Sequence, residues 1–138
     1  MTLVRRDPAR IAARAAADLV AAKVAAITAI NAATGLARQQ FITTCPGQEM
    51  IYIAKEREAL AFLAAPVVEL AAYPLLAAEV GVTAPSVWEL AQIWANVAVY
   101  WRGLAAQIEG ARMRAIARIE VAADPRSVAA ELASFRPL

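Results

Sequence analysis

The sequence predicts an all-α fold: an elongated antiparallel helical bundle with one long central helix and a coiled-coil-like seam. Three observations carry that expectation. Alanine fills about a quarter of the 138 positions, and an alanine side chain loses no rotamer freedom in a helix. Large apolar residues recur at 3-4 spacing as Val87, Leu90, Trp94, Val97, Trp101, Leu104 and Ile108, followed by Ala111 and Ala115. This is a seven-residue repeat of the kind that buries one helix face. Finally, the one run of strand character, Phe41 to Thr44, has no partner run elsewhere.

The elements follow in order. Asp7-Pro8 reads as an N-cap followed by proline at the first helical position, where its missing amide costs nothing. The first helix is expected over 8–34, with Gly35 as its stop. Its seam reads Ala13, Ala17, Val20, Val24, Ile27 and Asn31, widened by Leu19 and Ile30. Small residues there permit close approach, and Asn31 either fixes a register or ends the helix in water. After a link over 35–47, broken by Pro46-Gly47, a second helix is expected over 48–65. It turns Met50, Ile53, Leu60, Phe62 and Leu63 inward, leaves Lys55, Glu56, Arg57 and Glu58 as a charged ridge, and stops at Pro66.

A connector over 67–73 holds one turn near 68–72. Pro74 opens a short helix, 74–80, ended by Gly81. The long helix follows over 84–123, with Thr83 as N-cap and Pro85 in its first turn. At ~1.5 Å per residue it measures roughly 60 Å, more than the width of a compact domain of this mass. It therefore has to pack along other helices or other chains. Gly103 and Gly110 lie one heptad apart on it. A glycine inside a helix costs up to ~1 kcal/mol against alanine, so the pair marks either a place where another backbone comes close or drift without purpose. Asp124-Pro125 repeats the opening cap and starts a last helix, 125–134. The whole reads as a single helical domain, 1–138.

Composition then excludes function classes. With 14 basic and 12 acidic residues the net charge is +2, too balanced to argue for nucleic acid as a partner on charge alone. Arg5, Arg6, Arg10 and Arg14, and Arg112, Arg114 and Arg118, read as solvated helix faces. A mean hydropathy of +0.50 is inflated by alanine. The longest charge-free stretches, 24–37 and 90–101, fall short of the ~18–20 residues that span a bilayer, so no membrane segment is expected. Nor is a secretory signal, because Asp7 and Pro8 follow the first arginines where an apolar core would stand.

Histidine is absent, which removes the commonest general base and zinc ligand together. The single cysteine, Cys45, lies in a turn-like Thr-Cys-Pro-Gly; it is a candidate intermolecular thiol, although a free structural thiol is the preferred reading. The five glycines are isolated, so no phosphate loop is present. Glu120 and Asp124 alone have the i, i+4 spacing of a paired carboxylate site, and Asp124 is better explained as a cap. No enzyme, cofactor or metal site is expected.

Two features invite sharper readings. Residues 76–90 have the spacing of a helix-turn-helix around Gly81. The second helix would offer Ala84, Pro85, Ser86, Trp88, Glu89 and Gln92 to DNA, with no Arg or Lys before Arg102, whereas phosphate and base contacts call for cations. A tight helix-glycine-helix corner is the preferred reading. Trp88, Trp94 and Trp101, with Tyr100, suggest a ligand pocket; yet Trp94 and Trp101 share the seam, so core or subunit contact explains them first.

The motifs Phe-Ile-Thr-Thr-Cys-Pro-Gly-Gln-Glu-Met-Ile-Tyr (41–52), Lys-Glu-Arg-Glu-Ala (55–59), Tyr-Pro-Leu-Leu-Ala-Ala-Glu-Val-Gly-Val-Thr-Ala (73–84) and the late Ala-Ala-Asp-Pro give the chain a family likeness. It resembles small alanine-rich helical proteins of the tail and structural modules of tailed phages and prophages of alphaproteobacteria. It is also similar to the helical domain attached to some tail-fibre and fibre-assembly proteins. The resemblance covers most of 9–133 and is most specific at 46–50 and 73–84. It implies a non-enzymatic virion or assembly protein, a homo-oligomer with other phage structural proteins as partners. It places the chain in the virion, and in the host cytoplasm during assembly. The family brings no catalytic residues to carry over.

Overall fold

The computed structural model describes residues 7–65 and 69–138; Arg5, Arg6 and the stop assigned to Pro66 lie outside the described residues. The described chain forms α1 (Pro8–Gln39), α2 (Gln48–Ala64), a 3-10 turn at Leu70–Ala72, α3 (Pro74–Glu79), α4 (Val87–Val121) and α5 (Pro125–Ser134). Among these residues the only β pairing is a bridge between Val80 and Ala84. The fold is all-α. Where the sequence suggests one domain, the chain groups into two compact units, Met1–Gln40 with Ala106–Leu138, and Phe41–Ala105.

In the first unit, α1 packs with the second half of α4 and with α5. Ala26, Ile30, Ala115, Ile119, Val128 and Phe135 form its core. Both aspartate caps are present: Asp7 accepts from the Ala9 amide at 3.0 Å, and Asp124 from the Ser127 amide at 2.8 Å. Gly35 is not a stop. α1 runs through it to Gln39, because Ile30, Thr34 and Ala37 are buried on one face across that point and the packing they gain outweighs the weak helix preference of glycine.

The seam of α1 is also turned from the expected one. Val20 and Val24 are 62% and 61% exposed, while Ala26, Ile30, Thr34 and Ala37 are buried. An alanine-rich helix offers several stripes at 3-4 spacing, and the one carrying Ile30 opposite Ile119 and Val128 is the one that fills a core. By length and composition α1 could also cross a bilayer, because Lys23 is the only charge between Leu19 and Ala37. In this unit Lys23 donates to the Glu120 carbonyl at 2.6 Å, in the last turn of α4, where carbonyls lack helical donors.

In the second unit, α2, α3 and the first half of α4 enclose Ala59, Phe62, Leu76, Ala84, Leu90, Ala91 and Trp94. Phe62 meets Tyr73 edge to face, with ring centroids 5.9 Å apart. α2 presents only part of the face expected, since Phe62 and Leu63 turn inward as expected. Met50, Ile53 and Leu60 are exposed, and Ala59 and Phe62, with half-buried Leu63, point inward. Three of the four residues read as a charged ridge, Lys55, Glu56 and Glu58, instead lock the helices together, while Arg57 is exposed as expected. Glu58 accepts from the Leu75 and Leu76 amides at 2.9 and 3.0 Å, capping α3, which has no cap of its own. Lys55 pairs with Glu79 and lies 4.8 Å from the Trp94 ring centroid, a cation–π contact; Glu56 pairs with Arg102.

α4 begins three residues later than expected. The Ser86 hydroxyl accepts from the Glu89 amide at 3.2 Å and donates to the Glu89 carboxylate at 2.8 Å, so Ser86-Val87-Trp88-Glu89 has the serine and glutamate of a capping box. Thr83 is not the cap; its hydroxyl meets Glu79. The corner before it turns at Gly81, whose φ of 84° lies where a β-carbon would clash.

Candidate interaction surface

The seven residues of the α4 seam divide by unit. Leu90 and Trp94 are buried in the second unit, with Val87 packed against them. Trp101 and Leu104 are half-buried. Ile108 is buried in the first unit, and Val97 is 58% exposed. The side chains that α4 buries in the second unit, Leu90, Ala91 and Trp94, with Ala95 beside them, run slightly askew to the predicted stripe. A second stripe, Ile93, Val97, Tyr100 and Leu104, is equally visible at 3-4 spacing, and it shares Val97 and Leu104 with the first. The shared positions are why spacing alone could not separate the buried face from the outward one.

The outward face of α4 is broad and apolar. Ile93, Val97 and Tyr100 lie on one side of Asn96, and Trp88 and Val99 on the other, all of them exposed. At its N-terminal end a shallow open depression of about 360 Å³ is lined by Thr83, Ala84, Pro85, Trp88, Glu89, Gln92 and Ile93. This is the face a helix-turn-helix would offer to DNA, and it carries a carboxylate and no cation. Trp94 is core, as expected from the seam; Trp88 is 58% exposed. A Trp pocket does not form.

Comparison with protein-family models, with curated proteins and with solved structures returns no match to this chain.

Among the described residues neither glycine of α4 meets another backbone. A β-carbon at Gly103 would have no atom within 4 Å, and one at Gly110 would meet only the Arg114 guanidinium, at 3.1 Å. Close approach at these positions is not made by the described residues. Cys45 is free and exposed.

Two of the late arginines, Arg112 and Arg118, are more than a solvated face. Arg112 chelates Glu109 through Nε at 2.9 Å and Nη2 at 2.6 Å and donates to Asn31 at 3.0 Å. Arg38 reaches the same carboxylate at 2.5 Å. The Arg112 hydrogen bond, then the charges of Arg112 and Arg38, hold Glu109 down to about 2 from an ordinary 4.5. Arg118 pairs with Glu131 at 2.6 Å. These pairs join α1, α4 and α5 within the first unit. Among the described residues no three of His, Cys, Asp and Glu gather as a metal site would require.

Proposed function

We propose that this chain is a non-enzymatic structural component of a tailed-phage virion, placed in the tail, on a fibre or on the head. It acts through helix–helix contact with its own copies and with other structural proteins, without cofactor, membrane or nucleic acid. The observation that carries the reading is the amount of apolar helix surface turned outward: Met50, Ile53 and Leu60 on α2, Val20 and Val24 on α1, and Trp88, Val97, Val99 and Tyr100 on α4. A chain that keeps such faces in water is expected to bury them against protein. The virion setting is supported by the resemblance of 41–52 and 73–84 to phage structural-module proteins.

Quantitative mass spectrometry of purified virions of the encoding phage or induced prophage tests this. Stoichiometric presence at a fixed copy number supports the reading, and the number separates a few-copy tail part from a many-copy head part. Presence in producing cells but absence from particles would overturn it in favour of a tail-fibre assembly chaperone. Salt-sensitive duplex binding in a shift assay, weakened by changing Trp88, would overturn it in favour of a DNA-binding regulator.

A further inference from the structure

We infer that the outward face of α4 centred on Asn96 is where two copies of this chain meet, antiparallel, about a two-fold axis through Asn96. The inference rests on the self-association proposed above and gives it a surface. At ~100° per residue, Asn96 lies opposite the arc that α4 buries through Leu90, Ala91 and Trp94. Glu89, Ile93 and Tyr100 flank it on one side, and Gln92, Val99 and Gly103 on the other.

Four properties of the face select a second copy as its occupant. The first is area. Trp88, Ile93, Val97, Val99 and Tyr100 are between 41% and 68% exposed. With ~150–250 Å² for an aromatic side chain, they offer on the order of 500 Å² per copy. Two such faces reach roughly 1,000 Å², where specific association begins. The second is charge. From residue 88 to residue 100, Glu89 is the only charged side chain. An antiparallel pair places it against Gly103 of the second copy, so no like charges meet.

The third is self-complementarity. A carboxamide both donates and accepts, so two Asn96 side chains facing each other across an axis satisfy one another, and a single asparagine in an apolar contact fixes register and subunit number. The fourth is space. In this alignment Trp88 comes over Leu104, next to Gly103, where a β-carbon would find nothing within 4 Å, and Tyr100 comes over Gln92 at the rim of the depression. Each contact recurs by symmetry, as an isologous interface requires.

The test uses the full chain at micromolar concentration, with mass read by light scattering and helicity by circular dichroism. The wild type is expected at two chains or an even multiple. Tyr100→Glu and Ile93→Glu, both at exposed positions, are expected to halve that mass without loss of helicity. In a Cys45→Ser background, Asn96→Cys should cross-link to a dimer under mild oxidation, while Gly103→Cys alone should not. Cross-linking at Gly103 would mean a parallel pair and overturn the arrangement. An oligomeric wild type whose mass neither glutamate variant changes would overturn this surface while leaving self-association standing. A wild type of one chain would overturn both.

Discussion

At the scale of single residues, the side chains that decide this structure are polar ones with two jobs. Glu109 accepts from Arg112 and Arg38 at once, and its carboxyl is held at about 2 from an ordinary 4.5, first by the Arg112 hydrogen bond. A carboxylate whose folded value is depressed contributes stability that is fully present above its unfolded value and is lost as pH falls through the folded one. The contribution should therefore disappear between about pH 4.5 and pH 2. Thermal melts of wild type and Glu109→Gln should differ at pH 7 and converge near pH 2; parallel curves over that range would show that the network does not couple to folding. Ser86 is the second such residue. Removing its hydroxyl takes away the acceptor for the Glu89 amide, so Ser86→Ala should cost about 1 kcal/mol, read by denaturant titration, whereas Thr83→Ala should cost markedly less. The Ser-x-x-Glu pattern stood in the sequence beside a threonine and a proline that also fit a helix start. Only the geometry distinguishes them.

At the scale of elements, helix existence was legible and helix rotation only in part: Leu90, Trp94 and Ile108 of the α4 seam are buried as expected. Asp-Pro at 7 and 124 and proline at 74 each marked a start correctly, because caps act within one turn and need no tertiary partner. The faces were misread where several stripes compete. On α1 the alanines dilute the contrast between stripes. On α2 the inward face carries Lys55 and Glu58 beside Ala59 and Phe62, charges that spacing rules assign to water but that here cap α3 and lie over Trp94. The ends of helices give a direct test. Gly35 lies inside α1, with nothing within 4 Å of a β-carbon placed on it and no positive φ. Gly35→Ala should therefore raise stability by about 0.5–1 kcal/mol. A loss of stability instead would mean that the helix needs a break at this position.

At the scale of the whole chain, the two units have separate cores, and α4 supplies residues to both: Leu90, Ala91 and Trp94 to one, Ala115 and Ile119 to the other. The sequence shows the helix but not this division, since the heptad runs on through the boundary near residue 105 and nothing in its spacing changes there. If each core holds its own elements, damage to one should stay local. Leu90 is fully buried, and Leu90→Ala should cost about 3 kcal/mol where a cavity remains, enough to speed opening of α2 and α3 on the order of a hundredfold. Hydrogen exchange resolved by segment reads this directly. Leu90→Ala should accelerate amides of α2 and α3 and leave α5 unchanged. Ile119→Ala, equally buried, should accelerate α5 and the second half of α1 and leave α2 unchanged. Equal acceleration everywhere in both variants would mean one cooperative body, with α4 transmitting strain from core to core. Reciprocal, local acceleration would mean that the two cores are stabilised independently, so that the outward face of α4, carried by the second unit, could be covered by another chain without either core opening.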